Sequence, residues 1–490
     1  MEIMELVQII LSLLDNRRDL VHMACVASQY TDMALVILWR APDFAGDPLK
    51  AMTRLFPEPI HASLMEAKND SLIVTPESFK RFDYYAKFVR HLNYWQVSND
   101  GFIARRLTAS RPGQWLFPHL TSLHVGSDRD SLQTVEAYLS PTLRRICINH
   151  WDSTDNLGIA FTPSIVKILI RVFSLPNLEI LDFLDTSYAN YEREETILDA
   201  LLPLIPQLTE FYSSHFTFVR SVYDVLSTST KLKGLFLDVT QERNSNRHYE
   251  MDDMIQMLQD RFASLEKVVI RGETRATVTI LERCDRQFVH IDLRPEGAVD
   301  VNGLWNLTRS TTSSISSLKV LKCSAAEANP SHDSQTMVTA LQPLVNMSSL
   351  RDVQLEVSFS EWQMLSDIEV ETLFRGWPLV QSFLLNSEPG RDGIPPAGPQ
   401  TRRGLTLRAI LSIHHHCRYL SELSIPFIDL THIPDLSQYH FFRAYQHIRV
   451  QIARSHAHDS PAVKGFIKQI WPNAEVRFVG CCLSEASHVE

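Results

Sequence analysis

The sequence has 490 residues, of which 44% are apolar and 21% are charged, and its formal net charge is −10 at pH 7. This composition is typical of a globular protein, and the acidic balance argues against nucleic acid as a partner, which would need clustered Lys and Arg. No apolar run approaches the roughly 18 residues that cross a bilayer, so we expect no membrane association. Seven irregularly spaced cysteines and the absence of an expected secretory signal predict a reducing compartment, the cytoplasm or the nucleus.

Residues 1–45 carry three apolar stripes with the spacing of helices. The stripes consist of Leu6, Ile9, Ile10, Leu13 and Leu14, then Leu20, Met23, Ala24 and Ala27, then Met33, Ala34, Ile37 and Leu38. Three short helices are too small to bury such stripes among themselves, because a core of about 40 residues rarely suffices alone. We therefore expect part of this apolar surface to contact a partner or the rest of the chain.

The same residues resemble an F-box, a three-helix domain that binds a Skp-type adaptor. The matching positions are Glu5, Leu6, Val7, Ile10, Leu11, Leu14, Asp19, Leu20, Val26, Leu38, Trp39 and Arg40. Two features depart from the family pattern, since Glu2 and Ile3 replace Leu-Pro and Tyr30 replaces a Trp. The resemblance implies adaptor contacts by Leu6, Ile10, Leu11, Leu14, Leu20, Leu38 and Trp39. The alternative is a helical cap that closes the end of the domain that follows.

Residues 46–115 show no clear repeat. Their segment SFKRFDYYAKFVRHLNYW is amphipathic and aromatic, which favours a helix. We expect residues 46–115 to be a helical connector that caps the first strand of the next domain.

From about residue 117 onward one short pattern recurs, with apolar residues separated by two positions and then by one, as in FPHLTSLHV, LPNLEILDF and ISSLKVLKC. The middle apolar positions are Leu123, Ile146, Leu181, Phe211, Leu235, Val268, Ile291, Leu321, Val353, Phe383, Leu423, Val450 and Val476. Their mean step of about 29 residues lies at the upper edge of the leucine-rich-repeat period. Segments with helical spacing lie between them, so each unit is expected to be a strand followed by a helix.

Stacked strand–helix units predict an α/β solenoid over residues 116–483, with parallel strands inside and helices outside. A doubly wound α/β domain is the alternative. The pattern resembles irregular leucine-rich repeats, although the family's Asn after the strand is absent at the positions compared. A Pro- and Gly-rich stretch at 388–404 is expected to be an exposed insertion, and 484–490 a tail. The fold expected from the whole chain is a short three-helix F-box followed by a leucine-rich-repeat horseshoe.

The sequence contains no phosphate-binding glycine loop, nucleophile elbow or zinc-protease motif, so we expect neither an enzyme nor a cofactor. The run HHHC at 414–417 suggests a metal site, but adjacent residues on a helix point about 100° apart and cannot converge on one ion. We therefore predict no metal.

An F-box followed by leucine-rich repeats resembles the substrate receptors of cullin-RING ubiquitin ligases, and this resemblance implies a Skp-type adaptor and a cullin-RING core as partners. The target protein would bind the strand residues that alternate with the apolar positions. Among these we select six as target-binding candidates, with the first, second and sixth expected to be exposed anchors: Tyr212, Phe236, Arg271, Lys322, Glu356 and Leu384. The alternative function is a protein-interaction scaffold without a ligase.

Overall fold

The structure is a computed structural model of the chain. It describes residues 7, 10–11, 14, 17–26, 28–40, 48–65, 74–94, 100–126, 135–149, 163–184, 194–214, 216–239, 251–296, 298–299, 301–314, 317–327, 337–357, 366–386, 405–426, 428–430, 432–438, 446–453 and 460–479. The chain divides into two compact units, Met1–Leu232 and Lys233–Glu490. The expected insertion at 388–404 and the tail at 484–490 lie outside the described residues.

The described α-helices are α1 (Arg17–Val26), α2 (Ser28–Arg40), α3 (Pro48–Thr53), α4 (Glu58–Met65), α5 (Pro76–Ala86), α6 (Asp100–Ala109), α7 (Pro163–Phe173), α8 (Glu194–Leu201), α9 (Arg220–Thr228), α10 (Met251–Asp260), α11 (Thr274–Arg283), α12 (Val301–Ser310), α13 (Met337–Leu341), α14 (Asp367–Gly376), α15 (Leu407–His416) and α16 (Ser460–Ile470). Within the part of the chain that the structure describes, no helix is both long enough and apolar enough to cross a bilayer.

The strands are β1 (His91–Tyr94), β2 (Ser122–Gly126), β3 (Arg145–Asn149), β4 (Ile180–Leu184), β5 (Glu210–Ser213), β6 (Gly234–Asp238), β7 (Lys267–Glu273), β8 (His290–Glu296), β9 (Ala298–Val299), β10 (Val320–Glu327), β11 (Asp352–Val357), β12 (Ser382–Asn386), β13 (Leu405–Thr406), β14 (Glu422–Pro426), β15 (Ile428–Asp429), β16 (Ile448–Ala453) and β17 (Ala474–Val479).

In both units the strands pair in parallel and follow the order of the chain. The first unit has the order β1-β2-β3-β4-β5, and the second has β6-β7-β8-β10-β11-β12-β14-β16-β17. The short strand β9 pairs with β10, and β13 pairs with β15. A doubly wound sheet would reverse its strand order at a switch point, and neither unit does so. The doubly wound alternative is therefore wrong, and the predicted α/β solenoid of leucine-rich-repeat type is confirmed.

The register of the sheet follows the apolar pattern of the sequence. Leu123 pairs with Ile146, and Leu321 pairs with Val353. All thirteen middle positions except Val476 are buried, so one side chain from each strand enters the core. Helices cover this face, as shown by Phe374 of α14, whose ring centroid lies 4.9 Å from that of Phe383 of β12. The core therefore lies between the strands and the helices.

Backbone groups at the strand starts are satisfied by the preceding repeat. The N–H groups of Glu179 and Ile180 both donate to the carbonyl oxygen of Arg144, over 2.7 and 2.9 Å. Hydroxyl side chains make equivalent bonds to carbonyl oxygens of the preceding repeat in Thr121, Thr209, Ser317, Ser349 and Ser421. In the described repeats this Ser/Thr ladder thus satisfies carbonyl groups that would otherwise be left without partners.

The connector contains a strand that the sequence analysis missed. The segment predicted to be helical forms α5 only as far as Ala86, and His91–Tyr94 is strand β1, paired with β2. The carbonyl oxygen of Arg90 accepts the N–H groups of Thr121 and Ser122, as in the later repeats. The repeating strands therefore begin one unit earlier than expected.

Candidate functional site

The N-terminal helices form a small core of their own. Leu11, Leu20 and Ala34 are buried together, and partly buried apolar side chains pack around them, including Val7, Leu14, Met23, Met33, Ile37 and Leu38. The expectation that these stripes cannot bury one another is therefore wrong in part. Of the expected adaptor-binding residues, Leu11 and Leu20 are buried, Leu14 and Leu38 are partly buried, and Leu6 lies outside the described residues.

Helix α2 is fixed to α5 of the connector. The ring of Trp39 lies 5.3 Å from that of Tyr85, and the hydroxyl of Tyr84 donates a 2.7 Å hydrogen bond to Asp32. This hydrogen bond raises the pKa of Tyr84, because it favours the protonated phenol. Lys87 lies 3.8 Å from Asp32 in an ion pair. The apolar run that ends in Trp39 thus packs on the connector as well as on its own neighbours.

An apolar surface remains exposed on the N-terminal helices. Ile10 and Val21 are each 48% exposed and Val26 is 70% exposed. On α1, Val21 and Cys25 are four residues apart, as are His22 and Val26, so these exposed residues share one broad face. Exposed Val and Ile on a helix that already has its own core are typical of a contact surface.

The residues that alternate with the core positions form the second face of the sheet, opposite the core, and two expected anchors there are not exposed. Tyr212 is only 5% exposed and Phe236 only 1%. The Tyr212 hydroxyl donates to Glu210, and burial raises the pKa of this tyrosine. The expected exposure of Tyr212 and Phe236 is therefore wrong, because whether a strand residue is covered does not depend on alternation alone. Leu384 is half-buried.

The other three candidates lie on the second face of the Lys233–Glu490 unit. Arg271 donates to Glu296 over 2.8 Å, and Glu356 accepts hydrogen bonds from Ser324 and Gln354. Half-buried Lys322 pairs in register with Asp292 and Gln354 but makes no ion pair with a described residue. Two of these three charged candidates are thus already engaged by neighbours.

The first unit carries a cationic group on its second face that the target prediction did not select. Arg145 of β3 lies in register with Ser122 of β2, which pairs with His91 of β1. His124 lies close enough to Arg145 and His91 that both lower its pKa, after the larger effect of burial. The alternation of β2 and β3 placed Arg145 and His124 on this face, whereas His91 was missed together with β1.

The three histidines of HHHC point in different directions. His414 is buried and packs edge-on against Trp471, with 5.2 Å between ring centroids, whereas His415 is exposed. His416 faces Glu371 at 3.9 Å. Among the described residues, no group of three or more His, Cys, Asp or Glu side chains could hold a metal ion.

Comparisons with known proteins give one structural likeness. No family model matches the chain, and no curated protein matches it. A matching solved structure is the crystal structure of the leucine-rich repeat-containing protein LegL7 from Legionella pneumophila, with 15% identity and a TM-score of 0.34. The match covers 59% of this chain and 88% of that one.

Proposed function

We propose that the protein is a non-catalytic substrate receptor of a cullin-RING ubiquitin ligase. Its N-terminal helices would bind a Skp-type adaptor, and the second face of its sheet would hold a target protein. The chain would then act by proximity, since holding the target beside the transferring enzyme raises its effective concentration.

The observation that carries this proposal is the N-terminal surface. Leu11, Leu20 and Ala34 give the helices a core of their own, and yet Ile10 and Val26 remain exposed. A segment that served only to cover the first repeat would be expected to turn its apolar residues toward the chain. The order of the matching F-box residues adds support from the sequence.

A scaffold without a ligase is the second candidate, and the packing of α2 on α5 favours it. The Trp39–Tyr85 ring contact and the hydrogen bond from Tyr84 to Asp32 are contacts that a terminal cap would also make. In that case the chain would bind its target without recruiting a transferring enzyme.

The test is co-purification of the intact chain with a Skp-type adaptor. The double variant Ile10→Glu, Val26→Glu places charges on the exposed apolar surface and should abolish the association. The matched control is Ile368→Glu, because Ile368 is 75% exposed on a helix of the other unit. It should leave the association unchanged.

A gain-of-function variant sharpens the test. Glu2→Leu with Ile3→Pro restores the family pattern and should tighten adaptor binding. If neither the intact chain nor this variant associates with the adaptor, the ligase proposal is wrong and the scaffold takes its place.

A further inference from the structure

Three neighbouring strands of the first unit place polar donors side by side on the second face. His91, Ser122 and Arg145 are in register across β1, β2 and β3. Adjacent strands are about 4.8 Å apart, so one small group can reach side chains from all three. The residues that follow them, Leu92, Leu123 and Ile146, are buried in the core, which places the donors on the opposite face.

The guanidinium of Arg145 is the central feature of this row. The side chain is half-buried, its Nε is buried without a hydrogen-bond partner, and no carboxylate among the described residues forms an ion pair with it. Its sequence neighbour differs, since exposed Arg144 pairs with Glu179 at 3.3 Å. A half-buried arginine with an unsatisfied N–H is suited to an external acceptor.

His124 adds a second titratable donor beside Arg145. Both groups lie on the second face, and the ring of His124 is half-buried. Burial, Arg145 and His91 together lower the pKa of His124, which shows that positive charge is concentrated here. An anion bound at this point would offset that concentration of positive charge.

Carboxylates limit the size of this cationic region on the β4 and β5 side. Asp182 accepts a hydrogen bond from the Cys147 thiol, and Glu210 accepts one from the Tyr212 hydroxyl. A run of acidic residues in a ligand would meet these carboxylates and be repelled. The surface therefore fits one localised anionic group better than an extended acidic segment.

We propose that His91, Ser122, His124 and Arg145 form a binding site for one phosphorylated side chain of a protein partner. The proposal rests on the proposed function, because it names the chemistry that the target would present. A phosphate group has three acceptor oxygens, which match donors from three strands, whereas a carboxylate has two. Arg145 would hold the phosphate by paired N–H bonds, with Ser122 and the histidines completing the contacts.

The test uses the intact chain, immobilised, and two pools of random-sequence peptides with a central phosphoserine or a central serine. The wild-type chain should retain the phosphorylated pool at least about tenfold better than the other. Arg145→Gln should remove this preference, and His124→Asn should reduce it. Arg144→Gln is the matched control and should keep it.

Each contrary outcome overturns the proposal. Equal retention of the two pools, or an unchanged preference in Arg145→Gln, would show that no phosphate is recognised here. If inorganic phosphate binds the wild type as tightly as the phosphorylated pool does, the site takes a free small anion and the assignment to a protein partner is wrong. If Arg145→Gln does not fold, as judged by its thermal midpoint, His124→Asn carries the same decision.

Adaptor co-purification of the same variants keeps this proposal distinct from the proposed function. Arg145→Gln should retain the adaptor, since Arg145 lies on a strand and not on the N-terminal helices. Lack of phosphopeptide preference with adaptor association intact would overturn only the phosphate site. Lack of adaptor association with the preference intact would overturn only the ligase.

Discussion

The N-terminal helices and the repeat units bury their apolar residues in different ways. The repeats place one core side chain from every strand against the next strand, as with Leu321 and Val353, so each unit is stabilised by its neighbours. The N-terminal helices have only Leu11, Leu20 and Ala34 in a common buried core. The difference indicates that the repeats are stabilised collectively, whereas the N-terminal helices also depend on their attachment to α5.

The largest loss of stability is expected at Trp377, which is fully buried at the end of α14. Its Nε1–H donates to the carbonyl oxygen of Leu344 over 2.8 Å, and its ring lies 5.6 Å from that of Phe374. Trp377→Ala should lower the free energy of unfolding by about 3–5 kcal/mol, measured by urea denaturation. Trp377→Phe keeps most of the apolar contact and should cost less. Equal losses in both variants would show that the hydrogen bond matters more than the packing.

A core position and its neighbour on the second face should differ clearly. Leu321→Ala removes a buried side chain of β10 and should cost about 2–5 kcal/mol. Lys322→Ala, one residue later, should cost less than about 0.5 kcal/mol, because Lys322 is half-buried and makes no ion pair with a described residue. Urea denaturation of both variants measures the contrast. A larger loss at Lys322 would contradict the assignment of the two faces.

Leu11→Ala tests whether the N-terminal helices unfold separately from the repeats. The loss should be near the lower end of the usual range, about 2 kcal/mol, because a small core relaxes around a cavity. Amide hydrogen exchange should accelerate in α1 and α2 and stay unchanged in β11. Equal acceleration in β11 would mean that the two regions form one cooperative unit, which would remove the contrast between them.

The attachment to α5 can be weakened without disturbing either core. Tyr84→Phe removes only the hydroxyl that donates to Asp32, and it should cost about 0.5–1 kcal/mol. The expected result is faster amide exchange in α2 alone. Tyr94→Phe is not a suitable control because its side chain lies outside the described residues, whereas Tyr419→Phe removes a hydroxyl from a side chain that is 60% exposed in the other unit. An identical effect on α2 in the control would argue against a specific role for Tyr84.

The fold was predictable from the sequence to the extent that burial alternates along a strand. The middle positions were placed in the correct register because one apolar residue per repeat must enter the core. Strand β1 was missed although Val89, Leu92 and Tyr94 have the same spacing as Leu120, Leu123 and Val125, because aromatic residues nearby favoured a helix. The pattern was recognised only from residue 117 onward.

The candidate sites were less predictable, because they depend on contacts between strands. The covering of Tyr212 and Phe236 is set by three-dimensional neighbours, and alternation alone says nothing about those. The same holds for Arg145, whose Nε is left without a partner only once the register of the neighbouring strands is fixed. Sequence spacing thus places a residue on a face but does not show whether neighbours satisfy it.

The last prediction concerns the pH dependence of stability at His124. The groups that face it are His91 of β1 and Arg145 of β3, and burial has the largest effect on its pKa. Because its folded pKa is below the unfolded value of about 6.5, the unfolded chain binds the proton more readily. Stability should therefore fall as the pH drops below about 6.5, and His124→Asn should lose this part of the dependence.

Thermal midpoints of the two chains between pH 5 and pH 8 measure this effect, since their difference should change below about pH 6.5 and stay constant above it. Inorganic phosphate provides a second arm at the same site, because a bound anion favours the protonated imidazole and should reduce the acid loss in the wild type. Arg145→Gln should abolish that protection, since it removes the main cation that would hold the phosphate. Parallel pH curves for wild type and His124→Asn would show that protonation of His124 does not differ between the folded and unfolded chains, and the contrast between this cationic site and the paired charges of the second unit would then lose its support.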